Sequence, residues 1–211
     1  MMELSLEDGR LLVRLARKAV ESYLKNEVLL SPPADLKDVF YKPCGVFVTL
    51  NRLTGPAGSG RKELRGCIGF PEPVKPLVDA LIEAAVAAAV EDPRFPPVTL
   101  EEMSTIVIDV SVLTPPRMLE AKDRGMLPKE VKVGRDGLIV ERGFNRGLLL
   151  PQVAVEENWD PETFLSYTCI KAGLPPGCWL DEKTRIYSFQ AIVFEETSPN
   201  GEVKKAELGC P

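Results

Sequence analysis

The sequence predicts an α+β fold in which antiparallel strands form the sheet and helices pack against it. Strand-like segments follow one another as hairpin neighbours instead of alternating regularly with helices, as βαβ units would require. Two long amphipathic segments predict the helices that cover the sheet. With 211 residues, of which 45% are apolar and 27% charged, the chain can bury a core without disulfides or zinc.

The first half of the chain predicts two helices and three strands. Ser5 and Asp8 form a capping-box pattern, and apolar residues then recur at helical spacing over residues 6–25. A second helix is predicted over residues 75–91, and the prolines that follow end it because they cannot donate helical hydrogen bonds. Alternating apolar residues predict strands at 44–50, 64–70 and 105–113.

The second half predicts short strands, one helix and a final long strand. Asp136 and Gly137 favour a hairpin turn because both residue types tolerate positive φ. Asp160 and Pro161 predict a helix start, and the helix is expected to end near residue 172. Residues 196–211 are expected to form a frayed tail. The predicted strands cover residues 131–133, 138–141, 148–150 and 185–195.

The composition contains no histidine and five cysteines. Without histidine, Ser-His-Asp and Cys-His catalysis and His-containing zinc sites are excluded within this chain, so a general base has to be Asp, Glu, Lys, Tyr or a thiolate. The cysteines form no CxxC pair and are odd in number, which predicts free thiols in a reducing compartment. Cys169 falls on an apolar helix face and is interpreted as a core residue. We expect neither a metal nor a cofactor.

The net charge of −5 disfavours nucleic acid as a partner, since such binding relies on basic residues that neutralise phosphates. The first predicted helix still carries a basic stripe, which is either a contact for an acidic partner or a solvated helix face. No apolar run reaches the ~18 residues that a membrane helix needs, and no secretory apolar region begins the chain. We therefore expect a cytoplasmic protein without membrane contact. The stripe consists of Arg10, Arg14, Arg17 and Lys18.

The strand LRGCIGF, residues 64–70, carries the main candidate site. Alternation places Arg65 and Cys67 on one face, where the positive charge could favour a thiolate and hold an anion. Gly66 and Gly69 weaken a strand, which indicates the close approach of a ligand or of another backbone. The alternative interpretation is that Cys67 is a small buried hydrophobic residue and that the glycines form a bulge.

Three further residues are weaker candidates for substrate binding. Asp109 interrupts an apolar-rich strand, so it lies either on a solvated face or in a polar cleft. Arg94 follows the second helix in the DPRF segment, where Asp92 could simply be a turn residue. Gln152 follows a strongly apolar strand and could contact substrate or satisfy loop backbone.

Taken together, several segments resemble the AMMECR-type domain family. LRGCIG is the hallmark motif of that family, and its occurrence together with LLLPQV is highly specific. The resemblance covers residues 9–195 and implies one domain with two lobes, the second smaller, and the hallmark segment near a cleft. The matching segments are GVFVTL (45–50), LRGCIGF (64–70), DPRFPPV (92–98), IDVSVLTPP (108–116), VGRDGLIVERG (133–143), GLLLPQVAVE (147–156) and AGLPPGCWL (172–180).

The resemblance implies no single reaction, because the biochemical role of the family is unsettled. Prokaryotic relatives often occur beside, or fused to, Memo-like and radical-SAM proteins, which implies a component of a modification pathway with such partners. We expect a small-molecule or protein substrate at the LRGCIG segment, with Cys67 as thiolate or substrate contact and Arg65 as anion holder. The alternative is an adaptor or nucleic-acid-binding regulatory module that uses the basic stripe and the loop of residues 52–62.

Overall fold

The computed structural model describes residues 4–54 and 61–206, which divide into two compact units. Unit 1 contains residues 4–113 and 192–206, and unit 2 contains residues 114–191. The helices are α1 (Leu6–Asn26), α2 (Leu77–Val90), α3 (Leu127–Glu130), α4 (Pro151–Glu156) and α5 (Pro161–Lys171). The strands are β1 (Gly45–Thr54), β2 (Arg61–Phe70), β3 (Ile106–Leu113), β4 (Arg117–Met118), β5 (Asp136–Arg142), β6 (Asn145–Leu149), β7 (Arg185–Glu196) and β8 (Val203–Lys205).

Unit 1 is a sheet in the order β2-β1-β3-β7, with β8 beside the last residues of β7. β1 pairs antiparallel with both β2 and β3. Val46, Val48 and Leu50 alternate along β1 and are fully buried in a core that also contains the apolar faces of α1 and α2. The capping box that begins α1 is present, since Asp8 N–H donates to Ser5 Oγ and Ser5 N–H donates to Asp8 Oδ2.

Unit 2 pairs β5 with β6 as an antiparallel hairpin, and β5 and β4 also pair with the first residues of β7. Its separate core collects Phe164 and Leu165 of α5, Leu138 of β5 and Ile186 of β7. The helices and antiparallel strands of the two units confirm the α+β prediction. Among the described residues, none of the helices is long and apolar enough to cross a bilayer.

Two predictions about local structure are wrong. Residues 131–133 are not a strand, because α3 ends at Glu130 and a turn follows, in which Lys132 N–H donates to the Asp136 carboxylate. Asp136 and Gly137 consequently begin β5 instead of forming a hairpin turn. The turn between β5 and β6 lies at Gly143, whose φ of 60° suits glycine.

The expected frayed tail differs from the structure over residues 196–206. Val203–Lys205 form β8, which pairs with Phe194–Glu196. Glu196 is buried and receives hydrogen bonds from the Arg17 guanidinium, with Nε to Oε1 at 2.9 Å. This long-range ion pair fixes the segment to α1, and the sequence spacing gave no sign of it. Residues 207–211 lie outside the described residues.

The prediction that all cysteines are free thiols is also wrong. Cys169 in α5 and Cys178 in the 3-10 helix Pro176–Leu180 form a disulfide, with their Cα atoms 5.9 Å apart. Cys169 is fully buried in the core of unit 2, as its position on the apolar helix face predicted. The pair is nine residues apart, and the chain brings it together by turning back after α5 at Gly173, which has a φ of 72°. Cys44 and Cys67 are free thiols.

Candidate functional site

A row of polar side chains crosses three neighbouring strands of unit 1. The strand register places Thr49 of β1 directly opposite Cys67 of β2 and directly opposite Asp109 of β3. Residues that face each other across antiparallel strands project from the same side of the sheet. The three side chains therefore form one group, which we call the polar row.

Cys67 lies half-buried at one end of the polar row. The Thr49 hydroxyl donates a hydrogen bond to Cys67 Sγ at 3.2 Å. Burial raises the pKa of the Cys67 thiol, and this effect outweighs the Thr49 hydrogen bond and the positive charge of Arg94, both of which lower the pKa. Burial thus disfavours the thiolate that the sequence led us to expect at Cys67.

Arg65 does not lie free beside Cys67, contrary to its prediction as an anion holder. A β-bulge between Leu50 and Asn51 leaves Arg65 without a partner in the β1 register and breaks the alternation of the strand. Its guanidinium is buried and donates to both Glu102 carboxylate oxygens, at 3.0 and 3.1 Å, and to the Pro96 carbonyl at 2.9 Å. These hydrogen bonds lower the pKa of Glu102 to about 2. Arg65 thus anchors the segment after α2.

The two glycines of LRGCIGF make room for protein atoms. A Cβ on Gly66 would lie 2.0 Å from the Ala88 carbonyl oxygen of α2, and one on Gly69 would lie 2.3 Å from the Val46 carbonyl oxygen. Of the two explanations for these glycines, the close approach of another backbone is the one that the structure shows. Gly66 and Gly69 therefore explain how β2 packs, and neither is needed to admit a ligand.

Asp92 and Arg94, in the segment that follows α2, hold the backbone of Cys67 through hydrogen bonds. Cys67 N–H donates to Asp92 Oδ2 at 2.8 Å, and Arg94 Nη2 donates to the Cys67 carbonyl at 3.3 Å. Arg94 Nε also donates to Asp92 Oδ1 at 2.9 Å. The guanidinium of Arg94 and the backbone N–H groups of Cys67 and Arg94 hold the pKa of Asp92 well below its usual range. Asp92, for which a simple turn role was one alternative, holds the backbone of the hallmark strand at Cys67.

Asp109 occupies the other end of the polar row and is mostly buried, with 14% of its side chain exposed. Asn51 Nδ2 donates to it at 2.7 Å, and Lys62 Nζ lies 3.0 Å from Oδ1. Burial nevertheless raises the pKa of Asp109 to about 6, and the nearby Glu195 carboxylate adds to the effect. Asp109 therefore does not lie on a solvated face, which was the first of the two alternatives for this residue.

The remaining candidates do not join the polar row. Gln152 lies in α4 of unit 2, where its Oε1 is buried and has no hydrogen-bond partner among the described residues. The basic stripe is broken, because Arg17 is buried and paired with Glu196. Arg10 pairs with Glu7 on the exposed side of α1. Residues 55–60 of the proposed basic loop lie outside the described residues.

A cavity of about 490 Å³ borders the amino-terminal half of β2. Sequence reasoning missed it, because its walls come from segments that are distant in the chain. Within the described part of the chain, no group of three or more Cys, Asp or Glu side chains is arranged to hold a metal ion. The cavity is lined by Arg52, Glu63, Leu64, Arg65, Phe95, Pro96, Pro97, Thr99 and Glu102.

Three comparisons with known proteins agree with one another. The family model AMMECR1 matches residues 13–194. A protein of Pyrococcus furiosus is 58% identical over 202 residues, which cover 96% of this chain and 94% of the relative. A protein of Thermofilum pendens is 56% identical over 205 residues, 96% of each chain. The crystal structure of an uncharacterized protein from Pyrococcus horikoshii has a TM-score of 0.86 at 56% identity and covers 94% of this chain and 96% of its own.

Proposed function

The chain belongs to the AMMECR1 family, and on that premise we propose that it acts on a small-molecule or protein substrate at the polar row, as one component of a modification pathway. The observation that carries the proposal is that one cross-strand row holds a half-buried free thiol, Cys67, at one end and a mostly buried carboxyl, Asp109, at the other. Burial raises the pKa of Asp109 to about 6. A carboxyl that titrates near neutral pH is suited to accept and return protons in a chain without histidine.

The two ends of the polar row have different roles in this proposal. Cys67 is a neutral thiol, because burial raises its pKa. In this proposal the thiol contacts the reacting group of the substrate. Asp109 is largely ionised above its pKa of about 6, and it accepts a proton from a substrate bound over Thr49. Lys62 and Asn51 hold the Asp109 carboxylate in place through hydrogen bonds.

Labelling of cysteines with iodoacetamide tests whether the row is accessible. We expect Cys67 to react in the folded protein with a pH midpoint above that of an ordinary cysteine, since its pKa is raised. Cys44 is the internal control, because burial raises its pKa to about 11 and it should react only on unfolding. Replacing Asp109→Asn removes a negative charge that raises the pKa of Cys67, so the midpoint should fall.

Peptide mass spectrometry reads each cysteine separately. If Cys67 reacts only when Cys44 does, the thiol is a core residue and the proposal fails. If Cys67 reacts in the folded protein but Asp109→Asn leaves its midpoint unchanged, the two groups are not coupled, and Asp109 loses its proposed role.

The pathway part of the proposal rests on the family resemblance, which implies Memo-like and radical-SAM partners. If the chain depends on them, the isolated protein should show little turnover on generic hydrolase substrates. Co-purification with a Memo-like or a radical-SAM protein, with and without the change Cys67→Ser, tests the partnership. Robust turnover by the isolated chain would contradict a dependence on partners.

The alternative, an adaptor or nucleic-acid-binding module, has less support from the geometry. Arg17 donates to Glu196 and to the Ile106 carbonyl at 2.6 Å, so it is not available to a partner. Arg10 and Arg14 remain on the helix, but the negative net charge works against binding to phosphates. We therefore place the function of unit 1 at the polar row.

A further inference from the structure

Arg94 is held in one orientation beside the candidate thiol. Its Nε and Nη2 atoms donate to the two carboxylate oxygens of Asp92, at 2.9 and 2.6 Å. Nη2 also donates to the Cys67 carbonyl. The guanidinium lies 5.5 Å from the centre of the Phe95 ring, a distance at which the ring face attracts a cation. Three separate contacts therefore fix the group before any ligand arrives.

The same guanidinium is still open to solvent. The Arg94 side chain is 53% exposed, whereas the Arg65 side chain in β2 is 8% exposed. Nη1 makes no hydrogen bond to the described residues, so its two N–H groups can donate to a ligand. Arginine donors in a fixed planar arrangement match the oxygens of carboxylates and phosphates.

Two carboxylates oppose the binding of an anion at Cys67, and both already accept hydrogen bonds from neighbouring residues. Asp92 is buried and accepts four hydrogen bonds, from Cys67 N–H and from three N–H groups of Arg94. Asp109 lies across β1, where Lys62 and Asn51 donate to it. Arg94 thus brings an exposed positive charge into direct contact with the Cys67 backbone.

We propose that Arg94 forms an anion-binding position beside Cys67, which selects substrates that carry a carboxylate or a phosphate group. This inference rests on the proposed function and names the substrate class for that site. It transfers to Arg94 the role that the sequence assigned to Arg65, whose donors are used by Glu102 and by backbone carbonyls.

Two alkylating reagents separate this inference from the proposed function. Iodoacetamide is neutral and iodoacetate is an anion, but both form the same S–C bond to Cys67, with release of iodide and of the thiol proton. In the folded protein, the rate with iodoacetate is divided by the rate with iodoacetamide. This ratio is then divided by the same ratio for Cys67 in the urea-unfolded chain. This quotient measures the effect of the fold on the anion alone, while the iodoacetamide rate measures access to the thiol.

We expect the quotient to favour iodoacetate by about twofold, because the charge of Arg94 is screened by solvent and partly offset by Asp92. Arg94→Gln should return it to about one. Arg52→Gln is the matched control, because Arg52 is 43% exposed, also pairs with a carboxylate and lies on the next strand, and it should keep the preference. Inorganic phosphate at constant ionic strength should slow the reaction with iodoacetate in the wild type.

A quotient at or below one in the folded wild type, together with no protection by phosphate, would overturn the anion site even if iodoacetamide labels Cys67 readily. If iodoacetamide does not label folded Cys67, the proposed thiol chemistry fails instead. The anion site is then read from the rise in unfolding temperature that phosphate produces. That rise should be present in the wild type and in Arg52→Gln and lost in Arg94→Gln, and equal rises in all three would refute it.

Discussion

Replacing Asp109→Asn should stabilise the protein at neutral pH. The ordinary pKa of an aspartate, 3.8, is raised to about 6 in the folded protein, chiefly by burial. A pKa difference of one unit corresponds to ~1.4 kcal/mol, so the rise in the pKa of Asp109 means that the ionised carboxylate lowers the free energy of unfolding by about 3 kcal/mol. Because the side chain is only 14% exposed, solvent screening removes a small part of this value.

The sign of the pH dependence follows from the same difference. Above pH 6 Asp109 is ionised in the folded protein, although burial disfavours its charge. In that range its destabilising contribution has reached its full value. As the pH falls from 6 towards 4, the folded state binds the proton before the unfolded state does, so stability rises. Glu102, whose pKa is lowered to about 2, has the opposite effect, but it acts below pH 4.5.

Urea unfolding at a series of pH values between 4.5 and 7.5 measures this effect. The wild type should gain stability as the pH falls through 6, whereas Asp109→Asn should show a flatter curve and exceed the wild type by about 1–3 kcal/mol at pH 7.5. Glu195→Gln is the control, since it also removes a carboxylate from Lys62 and should keep most of the rise. An Asp109→Asn protein that is less stable than the wild type at pH 7.5 would refute the reasoning.

Three further predictions concern the rest of the molecule. Cys178→Ser should lower the free energy of unfolding by about 2.5 kcal/mol, the loop-closure value for a separation of nine residues, and a reductant should reproduce the loss in the wild type but not in the variant. Gly66→Ala should cost about 1–3 kcal/mol in thermal unfolding because its Cβ meets the Ala88 carbonyl, while Gly177→Ala, with open space around its Cβ, should be nearly neutral. Titrations with labelled RNA and DNA should show weak binding at physiological salt, and submicromolar binding that is lost on changing Arg10 and Arg14 to Ala would contradict the ranking of functions.

Elements with a strong local signal could be predicted from the sequence. The helix predicted over residues 6–25 is observed as Leu6–Asn26, because a capping box begins it and its apolar residues keep one period. The strand predicted over residues 105–113 is observed as Ile106–Leu113. The strand predicted at 131–133 is absent because three residues carry too little periodicity to define a strand, and the chain leads there from the end of α3 into a turn.

The sequence singled out the hallmark strand, but it did not reveal the contacts that surround this strand in the structure. Strand alternation predicted that Arg65 lies beside Cys67, but the bulge at Leu50 and Asn51 redirects Arg65, and alternation cannot reveal a bulge in advance. The partner of Arg65 is Glu102, 37 positions along the chain. Such pairings are set by tertiary packing, which brings together residues that no spacing rule connects.

The buried charges of unit 1 differ in how far their partners offset the cost of burial. Asp92, Arg65 and Arg17 are buried, and each is paired with an opposite charge and with backbone groups. Asp109 also has partners, but they do not compensate for its burial, so its pKa stays raised. Groups that lower stability at neutral pH are common at functional sites, where activity and stability compete, and Asp109 shares the polar row with the free thiol of Cys67. A variant at Asp109 that is more stable but has lost the coupling to Cys67 would show that this cost serves the polar row.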